Sequence, residues 1–180
     1  MKATTILALI TILFSAFVTL DNIKVIADKN KSTISYNMSH PMHDWTGISK
    51  EVNSAIICNE GKDTIQQVVV AVKISSFDSQ NSNRDSHTME VTEALLYPSI
   101  TFKSNTITYK NDSLLDVKGI LNWHGVKKEI NFQAKQRFEN KTTSLLGSFD
   151  VNMEDYNITP PTLFGIATKE VFSIDFHVFY

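Results

Sequence analysis

The sequence predicts an all-β fold, an antiparallel barrel or sandwich, interrupted by one helix. Three observations predict it. Apolar and polar residues alternate in many short segments, turn-forming residues separate these segments at regular spacing, and one stretch lacks the alternation. No unit of about 20 to 50 residues repeats, which argues against propellers and solenoids.

The strands are predicted from period-two alternation, the pattern of half-buried strands. Alternating segments cover residues 32–38, 66–74, 115–123, 126–134, 149–153 and 172–180, and further strands are expected over 23–27, 52–59 and 100–109. The last strand is strongly apolar and runs to Tyr180. We expect it to pair on both sides, as closure of a barrel would provide.

The one helix is predicted over residues 81–96. Ser82 and Asn83 are residues typical of a helix start, and Met89, Val91 and Ala94 follow at near-helical spacing. Pro98 ends the pattern, because the residue before a proline avoids helical angles.

Length and composition indicate one exported globular domain. The 180 residues are 42% hydrophobic and 20% charged, which excludes wholesale disorder. A short positive start followed by an apolar run predicts a signal peptide over residues 1–20, which leaves 21–180 as a single β-barrel domain. The net charge of -2 gives no broad electrostatic surface for nucleic acid.

Motifs for common chemistry are absent from the sequence. There is no Gly-x-Ser-x-Gly and no glycine-rich phosphate loop. The single cysteine, Cys58, excludes an intrachain disulfide and a cysteine-based zinc site. It alternates in register with Val52 and Ile56, which predicts a core thiol. The sequence therefore predicts no catalytic residue and no cofactor.

Two polar clusters are candidates for a binding site. His40 and His43, with Asp44 or Asp85, could hold a divalent metal. However, Pro41 prevents a helix from placing both rings on one face, and the spacing matches no defined site. We therefore predict no metal and expect these side chains to bind loop backbone at the mouth of the fold.

The second cluster is Arg84, Asp85 and His87, at the predicted helix start. Two interpretations remain open. The positive helix end and Arg84 could hold a polar or anionic head group, with His87 as a second donor. Alternatively, Asp85 caps the helix and pairs with Arg84.

The interior of a small barrel is filled either by its own side chains or by a ligand. Periodicity alone does not separate these alternatives. If a ligand is bound, the apolar faces of the strands supply its wall. The predicted wall residues are Phe102, Leu121, Trp123, Phe132, Phe149, Val151, Ile174 and Phe176.

Three segments together resemble the YceI-like family, exported lipocalin-like proteins that bind polyisoprenoids. They are 77–87 (FDSQNSNRDSH), 97–104 (YPSITFKS) and 117–128 (VKGILNWHGVKK). The resemblance implies an eight-stranded antiparallel barrel with an apolar bore, a long isoprenoid chain in that bore, and a bacterial periplasmic or secreted location. His40 and His43 fall where the family usually has a histidine, and Arg84, Asp85 and His87 fall on its motif near the helix.

The function expected from this resemblance is non-catalytic. We expect the protein to hold or transport an isoprenoid quinone or polyprenyl lipid, with His40, His43, Arg84, Asp85 and His87 at a polar mouth. Transient membrane contact is expected, and monomer and dimer both remain open. Two alternatives are a metal-dependent enzyme that uses His40, His43 and His87, and a ligand-free module with a packed core.

Overall fold

The computed structural model describes residues 22–180, so the predicted signal peptide lies outside them. The elements are β1 (Asn22–Ile26), β2 (Thr33–His40), β3 (His43–Ser49), β4 (Asn53–Asn59), β5 (Ile65–Lys73), α1 (Ser82–Val91), β6 (Ser99–Tyr109), β7 (Leu114–Trp123), β8 (Val126–Glu139), β9 (Thr142–Asn152), β10 (Thr162–Leu163), β11 (Ile166–Ala167) and β12 (Val171–Phe179). Two short 3₁₀ turns cover Ile74–Ser76 and Glu154–Tyr156.

Ten strands form one antiparallel sheet in the order β1-β4-β5-β6-β7-β8-β9-β12-β2-β3, and β10 and β11 form a separate small hairpin. The all-β class with one short helix is confirmed. The count of eight strands is not, because the sheet has ten. Sequence analysis missed β3, which lies at a sheet edge and has mostly exposed side chains, so its alternation is weak.

The sheet curls into a half-barrel whose edges approach one another. Ile48 of β3 exchanges two backbone hydrogen bonds with Asp78, at 2.9 and 3.0 Å. Near the other edge strand, the Asp28 N–H donates to the Phe179 carbonyl at 2.8 Å. The final strand, β12, pairs with β9 on one side and β2 on the other, which confirms the expected two-sided pairing.

The pairing between β8 and β9 is incomplete. These strands pair only from Ala134 and Gly147 to Glu139 and Thr142. Beyond that point the β8 residues pair only with β7, and the β9 residues pair only with β12. The wall of the half-barrel therefore parts on the side where β8 begins and β9 ends.

A polar network closes the end of the half-barrel opposite α1. Buried Gln136 donates to the carbonyl of Asp63 at 3.0 Å, and Thr143 donates to that of Lys62 at 2.8 Å. The Tyr109 hydroxyl donates to the Gln136 Oε1 atom at 2.9 Å. These bonds hold the β4–β5 turn under the sheet as a floor.

Helix α1 is shorter than predicted. It ends at Val91, and Glu93 adopts a left-handed conformation with φ of 46°, which stops helical propagation before Pro98. None of its residues is fully buried, although Met89 packs against the core from the open end of the sheet. Among residues 22–180, no helix combines the length and apolar character needed to cross a bilayer.

The close approach of β6 and β7 at Gly119 yields a stability prediction. A Cβ atom there would overlap the Lys103 carbonyl oxygen and lie 2.7 Å from the Ser104 Cα. Gly119→Ala should therefore destabilise the fold by about 1–3 kcal/mol. At Gly61, in an exposed turn, the nearest atom to such a Cβ lies 3.4 Å away, and Gly61→Ala should change stability by less than about 0.5 kcal/mol. Equal losses in urea unfolding would contradict this packing.

Candidate functional site

The inner face of the half-barrel encloses an apolar cavity. Its volume, counted as the space open to the centre of a water molecule, is about 100 Å³. All eight predicted wall residues line it: Phe102, Leu121, Trp123, Phe132, Phe149, Val151, Ile174 and Phe176. Their contact with a ligand stays a prediction, but the structure brings them together around one space.

Aromatic rings fill part of this inner cavity. Phe132 stacks on Phe149 with centroids 4.8 Å apart, and its centroid lies 5.6 Å from that of Phe176 and 5.3 Å from that of Phe102. Phe132, Phe149 and Phe176 are only half-buried, although they belong to the inner face. The interior is therefore neither a fully packed core nor an empty tube, and the aromatic side chains border open space.

A second cavity of about 70 Å³ lies beneath α1. It shares Phe77, Trp123 and Ile174 with the inner cavity, so the two are adjacent. Val91 of α1 and Trp45 of β3 complete its outer side. This middle cavity carries no charged residue in its lining and extends the apolar space towards the helix.

A third cavity of about 310 Å³ opens beyond the middle one. It shares Trp45, Val91 and Pro161 with the middle cavity. Four of the five predicted mouth residues line it: His40, His43, Arg84 and His87. The three cavities thus run end to end from an apolar interior, closed by the polar floor, to a polar mouth.

Both ring nitrogens of His40 form hydrogen bonds with the backbone. Its Nδ1 atom accepts a hydrogen bond from the Met42 N–H at 3.1 Å, so the proton is on Nε2, which donates to the Ile166 carbonyl at 3.1 Å. This is the backbone-binding role expected for the loop histidines. Because both ring nitrogens are occupied, His40 has no lone pair left for a metal.

Arg84 and His43 pack around the Trp45 indole. The Arg84 guanidinium carbon lies 4.7 Å from the Trp45 ring centroid, a cation–π contact. The His43 ring centroid lies 5.3 Å from that of Trp45. The three side chains form one wall of the mouth, held by stacking rather than by ion pairs.

The geometry does not support the predicted position of Asp85 at the polar mouth. It does not line the outer cavity, and its Oδ1 atom accepts a hydrogen bond from the Ser79 N–H at 3.0 Å. The carboxylate thus fixes the turn before α1, as in the alternative interpretation of a helix-start residue. The expected pair with Arg84 is not among the ion pairs of residues 22–180.

The far end of the α1 segment is fastened by His124. Its Nε2 atom lies 2.7 Å from the Glu93 carboxylate, and its Nδ1 atom lies 2.9 Å from the Tyr156 carbonyl. The Tyr97 ring packs edge-on against it with centroids 4.6 Å apart. The β7–β8 hairpin therefore holds the segment that covers the middle cavity.

The candidate metal site lacks support. Within residues 22–180, no three His, Cys, Asp or Glu side chains are grouped closely enough to hold an ion. Cys58 is fully buried, and burial raises the pKa of its thiol, which disfavours the reactive thiolate. Its core position agrees with the prediction from its register.

Several unpaired polar groups lie around the middle and outer cavities. The indole Nε1 atoms of Trp45 and Trp123, the Tyr36 hydroxyl and one Arg84 guanidinium nitrogen are buried without a hydrogen-bond partner among the described residues. An unpaired buried donor or acceptor costs about 1–3 kcal/mol. A ligand that pairs with one of these groups recovers part of this cost.

Sequence analysis missed residues that line the cavities. Val68, Val70 and Val72 of β5 lie in the inner wall, and their alternation already marked them as one face. Trp45 belongs to a strand that the analysis did not predict, so nothing indicated its position next to Arg84. Leu163 belongs to the short strand β10, which the sequence analysis did not predict either.

These observations define a class of protein: a curled antiparallel sheet with an apolar internal cavity that leads to a polar mouth. Residues 26–179 match the family model of the YceI-like domain. Protein YceI of Salmonella newport (strain SL254) is 24% identical over 157 residues, which cover 82% of this chain and 81% of that protein. The chain belongs to the YceI-like family.

Solved structures share the fold. The crystal structure of Burkholderia cenocepacia BcnA matches with a TM-score of 0.76 and 18% identity, and the match covers 86% of this chain and 99% of that one. A polyisoprenoid-binding domain from Saccharophagus degradans, implicated in plant cell wall breakdown, matches with a TM-score of 0.70 and 15% identity, over 90% and 98% of the two chains. At these identities the similarity shows the fold alone.

Tyr180, at the closed end of the inner cavity, provides a pH test of the burial there. Desolvation raises its pKa to about 12, although its hydroxyl lies 2.7 Å from that of Ser54. In the unfolded chain the phenol ionises near pH 10, so its contribution to stability is complete below pH 10 and falls as the pH rises to about 12. The loss should reach about 2–3 kcal/mol.

The measurement is urea unfolding of wild type and Tyr180→Phe between pH 9 and pH 12. Tyr180→Phe lacks the hydrogen bond to Ser54 at every pH, so its free energy of unfolding should differ from that of wild type by a constant amount. Because the variant also lacks the ionisable hydroxyl, its free energy of unfolding should fall less between pH 10 and pH 12. If the free energy of unfolding of the variant falls with pH as steeply as that of wild type, Tyr180 is not the group responsible. Tyr156, whose pKa burial also raises to about 12, accounts for part of the remaining decline.

Proposed function

We propose that this protein is a non-catalytic carrier that holds an isoprenoid lipid in its interior. The observation that carries the proposal is the row of adjoining cavities, of which the inner and middle ones are apolar and the outer one forms the mouth. The family and the polyisoprenoid-binding structural relative support the same ligand class. The signal-peptide pattern of residues 1–20 supports export to the periplasm of a bacterium.

Burial of hydrocarbon supplies the affinity for such a ligand. Each buried methylene contributes about 0.8 kcal/mol, so about 20 buried carbons contribute roughly 16 kcal/mol before entropy costs. The inner lining can provide this burial without hydrogen bonds, since nearly every residue in it is apolar. The half-buried Phe132, Phe149 and Phe176 are the side chains that must move to admit the chain.

The middle cavity favours a quinone as the head group over a phosphate. Its lining carries no charge, and the unpaired groups beside it include the neutral N–H donors of Trp45 and Trp123. Such donors match carbonyl oxygens, which are uncharged acceptors. A phosphate would require cations at this depth, and the nearest one, Arg84, lines only the outer cavity.

The polyprenyl lipid remains the second candidate, favoured by the position of Arg84 at the mouth. A metal-dependent enzyme that uses His40, His43 and His87 is disfavoured because His40 donates and accepts bonds to backbone at both nitrogens. The ligand-free module is disfavoured by the open space among the aromatic rings.

Retention of lipid by the purified protein tests the carrier proposal. Ala134 lines the inner cavity, so Ala134→Phe should fill space that the isoprenoid chain needs and lower the retained lipid by about tenfold or more. The adjacent Lys135 is exposed on the outer face, and Lys135→Phe is the matched control. The lipid retained per mole of protein is measured by organic extraction and mass spectrometry, and thermal unfolding checks that both variants fold.

Equal lipid retention in both variants would argue against this cavity as the binding site. If wild type carries no lipid and does not bind added prenyl lipids, the proposed function is contradicted.

Removal of an indole donor tests the head group. Trp45→Phe keeps an aromatic ring beside Arg84 but removes the N–H donor. Binding of a short-chain prenyl benzoquinone should weaken by about 2- to 10-fold, the worth of one neutral hydrogen bond. Binding of the matching hydrocarbon without carbonyl oxygens should weaken less. Equal weakening for both probes, measured by fluorescence titration, would show that Trp45 contributes packing and no hydrogen bond.

A further inference from the structure

The hairpin formed by β10 and β11 projects from the mouth and presents apolar side chains to solvent. Leu163 pairs with Ile166 across a two-residue turn made of Phe164 and Gly165. Phe164 is 84% exposed, and both Leu163 and Ile166 are also exposed. Apart from its chain neighbours, no atom of residues 22–180 lies within 4 Å of a Cβ built at Gly165, so the tip projects from the described part of the protein.

Phe164 occupies a conformation that disfavours it. Phe164 and Gly165 have φ values of 53° and 78°, the two positive angles of a type I′ turn, where Asn-Gly or Asp-Gly is the preferred pair. Among the non-glycine residues with positive φ in the described chain, Phe164 is the one large apolar side chain. A bulky residue at such a position is a strained outlier. The described residues give it little burial in return, so neither turn geometry nor packing explains its presence.

The hairpin is held firmly on the rim. The His40 ring donates to the Ile166 carbonyl, the Lys169 N–H donates to the Ser39 carbonyl at 3.0 Å, and the Thr168 N–H donates to the Pro161 carbonyl at 2.9 Å. The first two bonds tie the hairpin segment to the end of β2. The neighbouring β2–β3 turn adds a further exposed apolar side chain, Met42.

The hairpin segment itself carries no negative side chain. Residues 156–169 contain no carboxylate, and the first acidic residue after them is Glu170. Lys169 follows the hairpin directly, and Arg84 lines the same outer cavity as Leu163. Apolar side chains flanked by cations fit the interface of a bilayer that contains anionic phospholipid. A second copy of the chain fits less well, because a stable dimer buries about 800 Å² on each partner, far more than one hairpin tip presents.

We propose that the 162–167 hairpin is a membrane-docking element that inserts Phe164 and Ile166 into the surface of an anionic phospholipid bilayer and so places the mouth against the lipid. This inference rests on the proposed function for its purpose, since a carrier of an insoluble lipid must collect and release its load at a membrane. The docking itself is a separate property of the outer surface, because Phe164 and Ile166 line none of the three cavities.

The test compares vesicle flotation of wild type, Phe164→Asn with Ile166→Thr, and Phe138→Thr. The vesicles are phosphatidylethanolamine with one-quarter phosphatidylglycerol. Asn-Gly is the preferred pair for this turn and Thr suits a strand, so the hairpin variant should fold at least as well as wild type. Phe138 is half exposed near the end of β8, on the side of the polar floor, and controls for the loss of any exposed phenylalanine.

We expect the hairpin variant to bind vesicles at least about tenfold more weakly than wild type, while Phe138→Thr binds as wild type does. Binding of a short-chain prenyl benzoquinone in solution should be unchanged in both variants. Three results would overturn the docking proposal: no vesicle binding by wild type, equal vesicle binding by all three proteins, or a wild-type dimer that the hairpin variant dissociates without vesicles. If wild type binds vesicles but no prenyl lipid, the proposed function fails and the docking element stands.

Discussion

The structure depends on one constraint: a single sheet that curls on itself turns half of its side chains towards a shared interior. Alternate residues of β5 to β9 and of β12 all face that space, and the sheet edges are drawn together by the Ile48–Asp78 and Asp28–Phe179 bonds. Strand pairing satisfies most of the sheet backbone, so the interior can be largely apolar at little cost in hydrogen bonds. The pairing of β8 with β9 stops at Ala134. The stacked rings of Phe132 and Phe149 lie beyond that point and are therefore incompletely packed.

Sequence periodicity predicted the parts of the molecule in which one face is buried. The predicted strands over 32–38 and 115–123 correspond closely to β2 and β7, and the eight wall residues face one cavity because period two fixes the side of every second residue. Where the buried positions are not occupied by alternating apolar residues, the signal disappears. In β3 the buried residues are Gly47 and Ser49, so the strand was missed. In the first part of β9 the buried residues Thr143, Ser144 and Leu145 are consecutive and mostly polar, so only its last part was predicted.

The polar mouth shows what residue type and spacing cannot decide. Asp85 belongs to a segment that resembles the family, and His40 falls where the family usually has a histidine. Yet both ring nitrogens of His40 bind backbone atoms, and Asp85 fixes a turn. The partner of His40, the Ile166 carbonyl, is far away in the sequence and is brought near by the tertiary fold. The partner of Asp85, the Ser79 N–H, is set by the geometry of the turn before α1. Local sequence patterns predict neither. Trp45 illustrates the reverse case. It lies between the middle and outer cavities, but its role depends on a strand at the sheet edge that carries little sequence signal.

The gradient of polarity along the cavities fixes the direction in which an isoprenoid would lie. At the closed end, the network of Gln136, Thr143 and Tyr109 is already satisfied, so it offers no hydrogen bond to a head group and presents only an apolar inner surface beyond it. At the other end, the two indole donors and one Arg84 nitrogen have no hydrogen-bond partner within residues 22–180. On the proposed function, the hydrocarbon tail therefore lies towards the floor and the head group beneath α1. The same orientation places the head near the projecting hairpin, so that a carrier docked through Phe164 releases its ligand head first, into the layer of the membrane where polar groups reside.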